Sequence, residues 1–193
     1  MTRSAFLFAA LAMVLAWDAG PVARTAPAIE GPIDLGVLPG TDNSQAIAVN
    51  NAGQVLGRAD NTATNVTRAF LWMSSTGMID LGTLGGPSTY PSALNEAGQV
   101  VGSSTTAVGR LHAFLWSAST GMLDLGSLDG QSSSARAVNA SGQVVGGSYG
   151  ATTGHAFVWT AESGMVDLGA LAGSLSSAVA QNDGPLGCAP GLV

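Results

Sequence analysis

The fold is decided by the stretch Asn-Glu-Ala-Gly-Gln-Val-Val-Gly at residues 95–102, because versions of it recur at a nearly constant spacing. The pattern Asn-x-x-Gly-Gln-Val-x-Gly occurs at residues 50–57, 95–102 and 139–146, so that successive copies start 45 and 44 residues apart. A period of this length is typical of proteins built from repeated blocks of secondary structure. Asn followed by Gly at this spacing also suits a tight hairpin turn, in which Gly adopts positive φ.

Two further motifs share this period and this order. Ala-Phe-[Leu/Val]-Trp follows each copy of the first motif and ends at Trp72, Trp116 and Trp159. Asp-Leu-Gly comes next, and it also occurs once ahead of the first copy. Its four aspartates are Asp34, Asp80, Asp124 and Asp167. Three motifs with one period and one order do not arise by chance, so the chain is a repeat protein with three complete units.

Each unit contains four strand candidates of four to six residues, rich in Val, Phe, Leu and Trp and bounded by Gly, Ser, Asn or Thr. Outside residues 5–17, no window keeps a helical apolar period. The predicted fold class is therefore all-β, a β-propeller-like array of four-stranded antiparallel blades. The complete blades are predicted at residues 41–83, 88–127 and 131–170. A lone fourth strand at residues 33–38 and a lone first strand at residues 176–182 are predicted to flank them.

The number of blades predicts an incomplete ring. Closed propellers have about four to eight blades, and two lone strands would make only half of a fourth. Unpaired strand edges then predict self-association or poor solubility. Because Phe and Trp alternate in the third strand of each unit, both rings lie on one face, where we expect them to fill the space between blades. These aromatic residues are Phe70, Trp72, Phe114, Trp116, Phe157 and Trp159.

The first residues predict export. Arg3 precedes an apolar run at residues 5–17, which is too short to span a membrane, and Ala26-Pro27-Ala28 offers a cleavage site. The predicted organisation is a signal peptide at residues 1–28, the repeat domain at 29–184 and an irregular tail at 185–193. Secretion, or a periplasmic or extracellular location, follows. An uncleaved N-terminal anchor is the alternative.

Composition and charge narrow the choice of partner. The net charge is −6, all six basic residues are arginine, and no basic patch exists to neutralise phosphates, so nucleic acid is not an expected partner. Cys188 is the single cysteine, which excludes an internal disulfide and leaves its role open.

The repeat resembles the HAF family of probable extracellular repeat proteins, which is named for its His-Ala-Phe motif. The motif occurs at residues 112–114 and 155–157, whereas the first copy has Arg68 in place of His. The Asp-Leu-Gly and Asn-x-x-Gly-Gln-Val tracts are also similar to the family, and the resemblance covers residues 31–182. It implies an exported bacterial protein with a propeller-like fold, and it implies no reaction.

The repeated polar residues suggest sites that we interpret as structural. The aspartates could form a ring of metal ligands, but calcium loops place several oxygens close together in sequence, so each carboxylate is expected to accept N–H bonds in its own corner. His112 and His155 belong to different units, and Arg68 in the matching place would repel a cation. Walker, Cys-x-x-Cys and His-Glu-x-x-His motifs are absent. No catalytic, cofactor-binding or metal-binding residue is assigned, and no cofactor is expected.

The leading functional hypothesis is a structural or binding module that is not an enzyme. Its partner, a protein or a glycan, is unknown, and self-association through open strand edges is expected. The most divergent stretch, residues 58–68, carries Arg58, Asp60 and Arg68 and is the candidate for a specialised surface. The alternatives are a propeller-type extracytoplasmic enzyme, since fold does not fix function, and a truncated remnant of a larger repeat protein.

Overall fold

The structure, a computed structural model, describes residues 31–169 and 176–178. The chain divides into two compact units, residues 1–34 and 35–193. Of the first unit only residues 31–34 are described, and they form neither helix nor strand. The described part of the second unit is all-β, with twelve strands in three four-stranded antiparallel sheets. Nowhere in the described residues is there a helix long and apolar enough to cross a membrane.

Each sheet is a meander of consecutive strands, here called a blade and numbered in chain order. Blade 1 consists of β1 (Asn43–Val49), β2 (Val55–Asn61), β3 (Val66–Met73) and β4 (Gly77–Asp80). Blade 2 consists of β5 (Gly85–Leu94), β6 (Val100–Thr106), β7 (Leu111–Ser117) and β8 (Gly121–Gly126). Blade 3 consists of β9 (Ser132–Val138), β10 (Val144–Tyr149), β11 (Gly154–Thr160) and β12 (Gly164–Asp167). The prediction of three four-stranded blades is confirmed.

The last glycine of the Asn-x-x-Gly-Gln-Val-x-Gly motif makes room for an aromatic ring. In blade 2, a Cβ atom on Gly102 would lie 2.1 Å from the Tyr90 carbonyl oxygen and 3.0 Å from the ring of Phe114. Phe114 is opposite Gly102 in the β6–β7 register, so its ring lies over the bare backbone of the neighbouring strand. The sequence therefore couples a glycine in the second strand to a phenylalanine in the third.

Each blade has a front face, which carries the Phe and Trp of its third strand, and a rear face. On the front face, four apolar residues that are neighbours across the strands form what we call the front row. The front rows are Val49–Val55–Trp72–Met78, Leu94–Val100–Trp116–Met122 and Val138–Val144–Trp159–Met165. Cross-strand neighbours of this kind point to the same side of a sheet, so each row is a continuous apolar band.

The blades pack with the front of one against the rear of the one before. Phe114 and Trp116 of blade 2 share a buried cluster with Leu56 and Leu71 of blade 1. Phe157 of blade 3 packs in the same way among side chains of the rear of blade 2. The three Phe side chains are fully buried, and the Trp side chains pack at the edges of the clusters. The prediction that the rings fill the space between blades is confirmed for Phe114, Trp116, Phe157 and Trp159. It is wrong for Phe70 and Trp72, which pack with Leu35 and Leu38 ahead of blade 1.

Buried asparagines link the first turns of neighbouring blades in what we call the Asn ladder. Asn50 Nδ2 donates to Gln54 Oε1 (2.7 Å) and, across the blade boundary, to the carbonyl oxygen of Asn95 (3.1 Å). Asn95 Nδ2 donates in the same way to Gln99 Oε1 (2.7 Å) and to the carbonyl oxygen of Asn139 (2.9 Å). The first residue of the repeat motif thus fixes both its own hairpin and the next blade.

A second contact recurs where the chain passes from one blade to the next. A hydroxyl group at the start of the first strand donates to the carbonyl oxygen of the Asp-Leu-Gly glycine. The pairs are Ser44 with Gly36, Thr89 with Gly82, Ser133 with Gly126 and Ser176 with Gly169. This bond, here called the hydroxyl clasp, is therefore present between the blades and also beyond both ends of the array.

The lone fourth strand predicted at residues 33–38 is wrong. These residues form no strand; Leu35 and Leu38 instead pack against Phe70 on the front of blade 1, and Gly36 has a φ of 79°, which interrupts an extended backbone. Of the lone first strand predicted at residues 176–182, the described residues 176–178 form no strand either, and the remainder lies outside the described residues.

The Asn ladder predicts a large cost for Asn95→Asp. The substitution replaces an amide donor by a carboxylate oxygen that faces two buried acceptors, Gln99 Oε1 and the Asn139 carbonyl. An unsatisfied buried group costs about 1–3 kcal/mol, and a charge adds to this, so we expect the free energy of unfolding in urea to fall by roughly 3 kcal/mol. Asn65→Asp, at an exposed turn, is the matched control and should change it by less than about 0.5 kcal/mol. Equal losses in the two variants would show that the ladder is not the cause.

Candidate functional site

The polar residues singled out from the sequence gather at one end of the blades. Because strands alternate in direction, the turns of the Asn motif lie at one end, and the hairpins between the second and third strands lie at the other, with the Asp-Leu-Gly corners. These hairpins span residues 62–65, 107–110 and 150–153, and no position has the same residue type in all three. We call this the hairpin end. A constant scaffold with variable loops at one end is a common arrangement for binding sites.

The Asp-Leu-Gly aspartates pair with the third strand at the hairpin end. Asp124 lies 3.0 Å from His112 Nδ1, and Asp167 Oδ2 lies 2.7 Å from His155 Nδ1. In blade 1, Arg68 takes the place of histidine and its Nη2 atom lies 2.7 Å from Asp80 Oδ2. Arg68 in blade 1 therefore makes the contact with the Asp-Leu-Gly aspartate that histidine makes in blades 2 and 3.

Each of these aspartates also accepts the backbone N–H of the glycine in its own motif. The distances from Oδ1 to the glycine nitrogen are 2.9 Å for Asp80, 2.8 Å for Asp124 and 2.7 Å for Asp167. This is the structural role inferred from the sequence for a tight corner. Asp34 lies outside the three blades. The described residues hold no group of three or more His, Cys, Asp or Glu side chains suited to a metal, and Cys188 lies outside them.

A cleft of about 190 Å³ in blade 3 brings together a serine, a histidine and an aspartate. Ser148 on β10, His155 on β11 and Asp167 on β12 line it, together with Leu128, Asp129 and Thr153. Sequence reasoning missed this group although Ser148 is the serine of a Gly-x-Ser-x-Gly pattern at residues 146–150. The pattern lies on a strand of the repeat, and His155 and Asp167 come close to it only when the strands pair. The His155–Asp167 contact has the geometry by which an aspartate orients a catalytic histidine.

The hydroxyl of Ser148 is committed to the backbone. It accepts the N–H of Leu128 (2.9 Å) and donates to the carbonyl oxygen of Ser132 (3.3 Å), and the side chain is buried. In blade 2, Ser104 accepts the N–H of Leu84 (3.0 Å) in the same way. A nucleophilic serine must instead be hydrogen-bonded to its base. Ser148 therefore has a structural role that the repeat shares.

A second cleft, of about 280 Å³, lies in blade 1 and is lined almost entirely by uncharged polar side chains. We call it the polar cleft. Its residues are Asn43, Asp60, Asn61, Thr62, Asn65, Val66 and Thr67. The cleft lies within the stretch at residues 58–68 that the sequence marked as the most divergent. Asp60 lines it, whereas Arg58 pairs with Asp60 at 3.5 Å and Arg68 is held by Asp80.

The loop that bounds the polar cleft is held by its own side chains. Asn61 Oδ1 accepts the N–H groups of Ala63 (3.1 Å) and Thr64 (3.0 Å), and its Nδ2 donates to the carbonyl oxygen of Gly40 (2.7 Å). Asn65 has a φ of 55°, and no other non-glycine residue among those described has a positive φ. Asn tolerates this conformation better than most residues, so the loop is preorganised by sequence.

The carboxylate of Asp42 also holds this loop in place. Asp42 accepts hydrogen bonds from the hydroxyl and the backbone N–H of Thr62, with an N···O distance of 2.9 Å for the latter. Hydrogen bonds to a charged carboxylate favour the ionised form, and those from Thr62 hold the pKa of Asp42 below its ordinary value. The cleft is therefore rigid as well as polar.

The corner in blade 3 predicts a pH-dependent contribution to stability. The pKa of Asp167 lies below its ordinary value of 3.8. The main cause is the hydrogen bond with His155, and the next is the hydrogen bond from the Gly169 N–H. A carboxyl group whose pKa is lower in the folded than in the unfolded state stabilises the fold when the pH is above the unfolded-state pKa. This stabilisation is lost as the pH falls through the folded-state pKa. We expect Asp167→Asn to lower the urea midpoint at pH 5, with the difference from wild type closing below pH 4. Glu162→Gln, in an exposed turn, is the control and should leave the midpoint unchanged. A difference that persists undiminished at pH 2 would contradict this account.

Known proteins offer no counterpart to this chain. No protein-family model matches its sequence, and neither does any curated protein or any solved structure. The resemblance to the HAF family therefore stays a prediction, as do export and a role without catalysis. What the protein binds has to be argued from the chemistry of its own side chains.

Proposed function

We propose that this chain is an exported β-repeat protein of the HAF type that acts as a binding module, with the polar cleft of blade 1 as its binding site. The observation that carries the proposal is a preorganised cleft formed mainly by the stretch that departs most from the repeat. The other repeated polar groups are engaged in contacts that recur from blade to blade. Export is supported by the apolar run at residues 5–17 with the Ala-Pro-Ala site after it.

The lining of the polar cleft indicates the class of ligand. The Asn61 amide is engaged within the loop, and the hydroxyls of Thr62 and Thr67 already donate to Asp42 and Asp60. The amide of Asn65 can both donate and accept hydrogen bonds, and the two hydroxyls and the Asp60 carboxylate can accept further ones. Among the described residues, no Lys, Arg or His lines the cleft, which disfavours phosphate and sulfate groups as ligands. Val66 is the one apolar side chain among those described in the lining, which disfavours lipids. A neutral carbohydrate, whose hydroxyls also donate and accept, fits this set of groups.

Binding to neutral glycans tests the proposal. We expect the wild-type protein to bind at least one neutral polysaccharide on a glycan array. Calorimetry should show about thirtyfold weaker binding by Asn43→Ala/Asn65→Gly, because two hydrogen bonds worth about 1 kcal/mol each are lost. Gly keeps the positive φ of residue 65, so the loop should hold its shape. The matched control is Ala151→Gly/Thr152→Ala in the exposed hairpin of blade 3. The proposal is rejected if no neutral glycan binds, or if both double variants lose affinity equally.

A hydrolase with Ser148, His155 and Asp167 as its triad is the second candidate, favoured by their convergence in one cleft. The commitment of the Ser148 hydroxyl to the backbone argues against it. We therefore expect no labelling of the protein by a fluorophosphonate probe and no hydrolysis of p-nitrophenyl acetate above background. Labelling that disappears in Ser148→Ala and falls strongly in His155→Ala would establish the enzyme instead.

A further inference from the structure

The segment that leads into blade 1 makes contacts at both of its ends. Leu38 is 4% exposed and packs against Phe70 on the front of blade 1. Four residues later, Asp42 is hydrogen-bonded to the hairpin end of the same blade. We call residues 38–42 the strap, and residues 60–65, which bound the polar cleft, the cleft loop. The strap therefore connects the front of the blade to the candidate binding site, although none of its residues is among those described in the cleft lining.

A rigid turn joins the two ends of the strap. The sequence Leu-Pro-Gly-Thr at residues 38–41 places proline where its fixed φ suits a β-turn, and Gly40 follows with a φ of 83°. Thr41 closes the turn, because its N–H (3.1 Å) and its hydroxyl (2.7 Å) both donate to the carbonyl oxygen of Leu38. These are the features of a type II turn. A displacement of Leu38 is therefore transmitted to Asp42 and is not absorbed between them.

Three consecutive residues of the cleft loop are hydrogen-bonded to the strap. The backbone carbonyl oxygen of Asp60 accepts the N–H of Asp42 at 2.9 Å. The side-chain amide of Asn61 donates to the carbonyl oxygen of Gly40 at 2.7 Å. The N–H of Thr62 donates to Asp42 Oδ2 at 2.9 Å. All three loop residues line the polar cleft, and undocking of the strap would remove a partner from each, so the shape of the cleft depends on the strap.

The strap is longer than the segments in the same position ahead of blades 2 and 3. From the second leucine of the corner to the hydroxyl of the clasp, the chain advances by six residues ahead of blade 1 and by five ahead of the other two blades. The pairs are Leu38 with Ser44, Leu84 with Thr89 and Leu128 with Ser133. The longer segment and the polar cleft thus occur in the same blade, as expected if the strap serves the cleft.

We propose that docking of the strap on the front of blade 1 controls the shape of the cleft loop, and with it the affinity of the polar cleft for its ligand. The identity of the ligand rests on the proposed function, whereas the coupling between strap and loop is a property of the free protein. Because coupling between two sites is reciprocal, a ligand in the cleft also keeps the strap docked. Conversely, whatever lifts Leu38 from Phe70 weakens ligand binding.

Hydrogen exchange of the full chain, followed by NMR, tests the coupling without a ligand. Gly40→Ala puts a side chain at a positive φ, and since no atom lies within 4 Å of the added Cβ, it strains the turn without a clash. We expect the amides of Thr62 and Thr64 to exchange about tenfold faster, because this strain favours the undocked strap. Gly109→Ala in the hairpin of blade 2 is the matched control. Its φ is 78° and its surroundings are equally open, so it should leave these two amides unchanged.

A conservative variant separates positioning of the loop from a general loss of stability. Asn tolerates a positive φ better than Ala, so Gly40→Asn should give exchange rates between those of the wild type and Gly40→Ala. The rates should change in the strap and the cleft loop and not in the ladders of blades 2 and 3.

Maltohexaose, cellohexaose and mannohexaose probe the coupling in the opposite direction. At about ten times its dissociation constant, a hexaose that binds should slow exchange of the cleft-loop amides by about tenfold. The amides of Thr41 and Asp42 should slow by the same factor, although neither residue lines the cleft.

Three results would overturn the proposal. They are unchanged exchange of the cleft loop in Gly40→Ala, equal acceleration of its amides in Gly40→Ala and Gly109→Ala, and a bound hexaose that protects the loop but not the strap. If none of the three sugars binds to the wild type, the result counts against the proposed function. Exchange in the free protein then still decides whether the strap and the loop are coupled.

Discussion

The rest of the structure depends on an amide group that is buried where two blades meet. A buried donor has to find an acceptor, and the side chain of the motif asparagine finds one in its own hairpin and one in the backbone of the next blade. This ties the spacing between blades to a hydrogen-bond length. The apolar rows can then interdigitate, because the fronts and rears of adjacent blades arrive in a fixed register.

Much of this fold could be predicted from the sequence because its signals are local. Asn and Gly at fixed positions determine a turn, and the Phe-x-Trp alternation determines a face, so the number of strands and the filling of blade boundaries follow. The failure at residues 33–38 has a physical cause. Asp-Leu-Gly-x-Leu marks the corner after a strand, and no hairpin precedes this corner in the described residues. Its leucines therefore keep their packing role, and Gly36 keeps its bond with Ser44, without a strand.

The sites were harder to predict because they depend on contacts between distant residues. The divergent stretch at residues 58–68 was visible as an interruption of the pattern, and its Arg58, Asp60 and Arg68 marked it as a candidate for a specialised surface. In the structure Asp80 holds Arg68, and the cleft beside it is formed by amides and hydroxyls. The group Ser148, His155 and Asp167 was invisible for the same reason, since strand pairing alone brings it together.

The hydroxyl clasp has a consequence for how such a chain can change in evolution. Its donor and acceptor belong to neighbouring repeats and are the same at every junction, so each junction is chemically interchangeable with the others. In a linear array of equivalent junctions, stability is close to a sum of nearest-neighbour terms. Unequal recombination that inserts or removes one whole period would create a junction of the same kind. The length of the array can therefore change by whole repeats while every junction keeps the same kind of bond.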